Sequence, residues 1–127
     1  MQVDTNVLVR HVTGSPAAQA RRATAFLRQA ERLDLPDLIV AELVSVLESV
    51  YRQPRPAVAA VVRAVVAFPA IRVGDERLVL RAIELYETQR VDFAEAYLAA
   101  AAERTDGQVV SFDRGLDRIG SVRRIEP

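Results

Sequence analysis

Five carboxylates stand out by their place in the sequence: Asp4, Glu42, Asp92, Glu95 and Asp113. Asp4 closes the opening Met1-Gln2-Val3, and Asp113 closes Gln108–Phe112, the clearest strand pattern in the chain. Asp92 and Glu95 open an alanine-rich helical run, and Glu42 lies in the first half of another helix. In an open parallel sheet, ligands bind beyond the C-terminal strand ends, so Asp4 and Asp113 are expected to face one crevice. The helical segments can aim their acids at the same place, giving four or five carboxylates in one pocket. Two such charges about 4 Å apart repel by roughly 4 kcal/mol at an effective dielectric of 20, a cost that a divalent cation removes. Hard Mg²⁺ or Mn²⁺ suits carboxylate oxygens, activates water and stabilises charge on a phosphoryl group. The chemistry this set can support is therefore metal-assisted phosphodiester hydrolysis.

Composition narrows the alternatives. With no cysteine and one histidine, His11, the chain has neither disulfide nor thiolate chemistry, and a histidine-ligated zinc centre is disfavoured. Half of the residues are hydrophobic and 27% are charged, the balance of a globular chain. A length of 127 residues suits one compact domain over 1–127. No apolar run reaches the ~20 residues of a membrane span, and the expected location is cytoplasmic. Seventeen basic residues balance seventeen acidic ones, so net charge alone does not suggest a nucleic-acid partner. Every basic residue except His11 is arginine; this can favour phosphate recognition, although genome composition explains the bias as readily.

The elements that must position the acids follow from hydrophobic spacing. Val7–Val12 is expected to form a short helix after Asp4-Thr5-Asn6, ending at the Thr13–Pro16 break. Ala17 through Leu33 repeats at helical spacing, and Leu38 through Val50 marks another helical face with Glu42 on its polar side beside Ser45 and Ser49. Val58–Val66 also has helical spacing, but its β-branched residues make a strand the competing assignment. A short strand at Ala70–Val73 leads to a helix from Leu78 to near Arg90. The helix opened by Asp92 ends at Gly107, before the Gln108–Phe112 strand, a turn or short helix at Leu116–Ile119 and an edge strand at Val122–Ile125. Strands separated by helices, with no hairpin signal, predict an α/β sandwich with a mainly parallel sheet.

Each acid has a structural explanation of its own. Asp92-x-x-Glu95 fits a helix-capping box, Asp4 fits an N-cap, and Glu42 fits a solvated helix face. Asp113 and Asp117 both suit turns, with Asp117 peripheral to the proposed cluster. His11 is expected to be a partly buried structural residue, and Arg10 and Arg114, near the expected rim, have two readings, phosphate contact and solvated charge, of which solvated charge is the plainer.

Taken in order, however, Val3-Asp4-Thr5-Asn6-Val7-Leu8-Val9, Val40-Ala41-Glu42-Leu43, Val91–Ala100 and Ser111-Phe112-Asp113 resemble the four acidic motifs of the PIN-domain family, specifically VapC-type toxin ribonucleases. The likeness spans nearly the whole chain. It implies a three-layer α/β/α fold and an endoribonuclease using Mg²⁺ or Mn²⁺. It assigns Asp4, Glu42, Asp92, Glu95 and Asp113 as catalytic metal-site acids, with Thr5, Asn6 and Ser111 supporting them by hydrogen bonds. It also implies an RNA substrate, a cognate antitoxin and a homodimer. Where the family commonly places aspartate before the alanine-rich stretch, this chain has Glu95, with Asp92 three residues earlier, leaving open which is the third principal acid.

Other families that place aspartates at strand ends fit less well. Receiver domains need an active-site lysine, and this chain has no lysine. Haloacid-dehalogenase-type phosphatases need a second aspartate after the first, where this chain has Thr5-Asn6. The remaining alternative is a non-catalytic binding or assembly module with a residual acidic site.

Overall fold

The computed structural model describes residues 1–127, which fall into two compact units, Met1–Glu76 and Arg77–Pro127. The first begins with helix α1 (Thr5–Thr13) and α2 (Ala17–Gln29), packed against each other as a hairpin around Gly14. Gly14 takes a left-handed φ of 71° and donates its N–H to the Arg10 carbonyl, satisfying an orphan at the end of α1 without a Cβ clash. Next come strand β1 (Leu33–Leu35), α3 (Asp37–Ser49), α4 (Arg55–Val66) and strand β2 (Ile71–Val73).

β1 and β2 pair in parallel, Leu33 opposite Ile71 and Leu35 opposite Val73. On the other side of β1, Gln2 makes a parallel bridge to Asp34, with Val3 N–H donating to the Asp34 carbonyl at 3.1 Å. The chain's opening is thus held in extended form up to Asp4, although it is too short for a full strand. Core side chains include Val3, Leu8, Leu27, Leu33, Leu35 and Leu43.

One expectation changes here, and one choice between helix and strand is decided. The helix expected to run through Leu33 ends at Gln29, and Ala30 is already extended. Leu33 instead enters β1, whose Leu33 and Leu35 are buried on either side of the partly exposed Asp34; Leu33 fits both periods, which hides the switch in sequence. Val58–Val66 is helical: Pro56 lies in the first turn, where its missing N–H costs nothing, and Val58, Val62, Val65 and Val66 bury one face.

The second unit contains α5 (Glu76–Gln89), α6 (Phe93–Ala102), β3 (Gln108–Val110), a 3-10 helix (Arg114–Arg118) and β4 (Arg123–Ile125). β3 and β4 are parallel, with Val109 opposite Arg124. All strand pairs in both units are parallel, as expected of the fold class. Arg90, at φ 54°, turns the chain between α5 and α6, and its carbonyl accepts from the Arg118 guanidinium at 2.9 Å. That turn delivers Asp92 to the start of α6. No helix is long and apolar enough to cross a membrane.

Candidate active site

In the first unit, Asp4 stands where the extended opening becomes α1. Its backbone is extended (φ −91°, ψ 155°), and its carboxylate accepts from the Thr5 N–H at 2.8 Å. The expected N-cap is present, and the side chain remains exposed. Thr5 is buried, and its Oγ1 has no hydrogen-bond partner. An unpaired buried hydroxyl costs about 1–3 kcal/mol, so this atom is well suited to an interaction formed only when a ligand arrives. Asn6 is exposed on α1, and Glu42 is exposed on α3, which packs against α1.

In the second unit, three of the expected acids come together. The Asp92 carboxylate accepts from the Glu95 N–H at 2.8 Å, while the Glu95 carboxylate reaches back to accept from the Asp92 N–H at 3.2 Å. The capping box read from sequence is therefore complete. Glu95 also hydrogen-bonds the Asp113 side chain. Asp113 begins the 3-10 helix, accepting from the Gly115 N–H at 2.9 Å, and its own N–H donates to Ser111 Oγ at 2.9 Å.

These contacts push the two acids in opposite directions. Burial, followed by the hydrogen bond to Asp113, raises the Glu95 carboxyl above its ordinary range. Asp113 is held below its ordinary range, first by the Glu95 hydrogen bond and then by the Gly115 N–H, with Arg124 and Arg118 adding favourable charge. Of the two, Glu95 is therefore the weaker acid and Asp113 the stronger. Neither acid forms an ion pair with an arginine. Two adjacent carboxyl groups with no cationic partner form an oxygen-rich site whose mutual repulsion a hard cation can relieve.

Sequence reasoning missed Gly115. A Cβ there would lie 2.8 Å from Glu95 Oε1 and 3.1 Å from Asp113 Oδ1, so the backbone itself forms the wall behind the acids. The available signal was Asp113-x-Gly115, in which an aspartate folds onto the N–H two residues ahead. No group of three or more acidic or histidine side chains is drawn tightly enough together to form a preassembled metal cage. The chemistry of the acids in the second unit nevertheless fits a divalent cation, since Asp92, Glu95 and Asp113 offer oxygen ligands alone.

The peripheral residues also have defined roles. Asp117 accepts from the Arg124 guanidinium at 2.9 and 3.2 Å, a structural ion pair. His11 Nδ1 lies 2.7 Å from Thr24 Oγ1, and its ring meets Phe68 edge-on, consistent with the structural role expected of it.

Against known families, the PIN domain model matches residues 1–122, a span that runs through both units and all four acidic motifs. No curated protein matches the chain.

Proposed function

Because the chain belongs to the PIN domain family, an α/β-sandwich family of generally metal-dependent nucleases, we propose that it is a Mg²⁺- or Mn²⁺-dependent endoribonuclease and the toxin of a toxin–antitoxin pair. The family match through residues 1–122 also supports treating the chain as one functional domain. The observation that carries the catalytic reading is the Glu95–Asp113 pair, two carboxyl groups that meet against the bare backbone of Gly115. Asp4, Glu42, Asp92, Glu95 and Asp113 supply the metal-site carboxylates, an assignment supported by their motif order. Glu95 is the third principal acid, because its carboxyl reaches Asp113 while the Asp92 carboxylate caps α6.

When bound, a divalent cation neutralises charge on the phosphodiester and makes water a better nucleophile. The chain's own work is to hold that chemistry in place. Asp113 is oriented by Gly115 and Ser111, Glu95 is held beside it by the capping box with Asp92, and Asp4 is fixed at the start of α1 by the Thr5 N–H. Thr5, Asn6 and Ser111 provide the supporting hydrogen bonds. Motif resemblance supports a cognate antitoxin as the regulator and a homodimer as the working form.

The reading is tested by incubating purified protein with mixed RNA and with single-stranded DNA, with Mn²⁺ or Mg²⁺ and with chelator, using Asp4→Asn as the contamination control. RNA should be cut internally only with metal, and the variant should lose at least a hundredfold in rate while retaining its fold. Intact RNA with folded, antitoxin-free protein would favour a binding module; cleavage confined to DNA would retain a nuclease but reject the ribonuclease reading.

A further inference from the structure

The net charge of zero conceals a strong local asymmetry. From Thr5 to Ala30 there are four arginines, Arg10, Arg21, Arg22 and Arg28, and no carboxylate. This segment is the α1–α2 hairpin. On one of its faces, Asn6 and Arg10 on α1 look across a groove of about 610 Å³ at Gln19, Arg22 and Phe26 on α2, with Val7 and Ala23 forming its floor. The rows follow from helix spacing: Asn6 and Arg10 are four residues apart, as are Arg22 and Phe26.

Three observations define what the groove can hold. First, its charge is uncompensated, since neither Arg10 nor Arg22 forms an ion pair. Arg10 is instead oriented by donating its Nε–H to Gln19 Oε1 at 2.7 Å, which leaves both terminal amino groups for an anion. Second, Phe26 is half exposed, presenting an aromatic surface beside those arginines. Third, the groove begins at Asn6, two residues beyond Asp4 on the same helix. Paired guanidinium groups beside an exposed aromatic ring suit a single nucleic-acid strand, whose phosphates take the charges and whose unstacked base takes the ring. A duplex would keep its bases stacked away from Phe26.

We propose that the α1–α2 groove is the binding track for single-stranded RNA, with Arg10 and Arg22 gripping phosphates and Phe26 stacking a base as the strand passes Asp4. This rests on the ribonuclease reading for the identity of the strand, but binding can be measured without cleavage. Asn6 and Gln19 add hydrogen-bonding groups to the same wall. Arg21 and Arg28 line a separate groove with His11 and serve as controls of equal charge.

The test is binding of a labelled 12-nucleotide RNA to the full chain in chelator, over a series of salt concentrations. Arg10→Ala and Arg22→Ala should each weaken binding and lower the salt slope by about one, as expected for loss of one phosphate contact. Phe26→Ala should weaken binding about tenfold or more with the salt slope unchanged, and Phe26→Trp should restore it. Arg21→Ala and Arg28→Ala should bind as wild type does. Circular dichroism and thermal midpoints establish that each variant is folded.

Wild-type affinity and slope in all three groove variants, or equal losses in the Arg21 and Arg28 controls, would overturn the track and leave this face to a protein partner. Failure of the wild type to bind RNA would also overturn it. Cleavage by wild-type protein together with intact binding in the groove variants would reject the track while retaining the nuclease. Groove-dependent binding without cleavage would retain the track and reject the nuclease.

Discussion

At Gly115 the absence of a side chain is what lets Glu95 reach Asp113. The added methyl of Gly115→Ala would press on the movable end of Glu95, and Gly115 does not occupy a left-handed backbone conformation. Gly115→Ala is therefore expected to lower Mn²⁺ affinity by about tenfold, a loss typical of disturbing residues that support metal ligands, with little change in thermal midpoint. Calorimetric titration with a parallel melt checks this; unchanged affinity would mean that Gly115 does not shape the site. His11 makes a separate prediction. Burial and then the nearby Arg28 charge hold its pKa below the ordinary value of about 6.5. The unfolded chain therefore binds the proton more readily, and stability falls as pH drops through 6.5 toward the lower folded-state pKa. Thermal midpoints at pH 7.5 and 5.5 should fall further for wild type than for His11→Gln. Equal falls would remove His11 as a source of acid sensitivity.

The elements were legible in the sequence to the extent that periodicity ran long enough to show. α3 and α5 declared themselves through spacing and α6 through its alanine-rich composition, and the Asp92/Glu95 capping box could be read directly because its chemistry is local. β1 was missed because three residues establish no period of their own, and because Leu33 continued the helical phase before it. Contacts between elements were equally hidden. Arg81 on α5 makes a bidentate pair with Glu103 at the end of α6, both bonds at 2.8 Å, across 22 residues. The Arg81 hydrogen bond is the leading cause holding the Glu103 carboxyl below its ordinary range. Arg81→Met should cost about 1 kcal/mol near neutral pH, a modest value because both side chains keep some exposure. A depressed carboxyl stabilises the fold above its unfolded-state pKa of about 4.3 and loses that contribution as pH falls through its folded-state value. The difference between wild type and Arg81→Met in urea unfolding should accordingly shrink from pH 7 to pH 3; a constant difference would assign the effect to packing of the arginine stem.

For the whole molecule, motif order was readable where geometry was not. Four short acidic motifs, each explicable as a cap, a turn or a polar face, acquired meaning from their sequence order, and the family match covers the same span. The pairing of Glu95 with Asp113 was not readable, because it depends on a contact across 18 residues set by the packing of α6 and the 3-10 helix. Nor did a net charge of zero disclose the acid-free stretch from Thr5 to Ala30; charge must be located before it can identify a partner. The central claim is that these carboxylates act through a divalent cation. Its most direct test is calorimetric titration of Mn²⁺ into wild type and Asp113→Asn, with circular dichroism confirming that both are folded. The account predicts saturable binding by wild type and at least a tenfold loss of affinity in the variant. No binding by wild type, or equal binding by the two proteins, would contradict it.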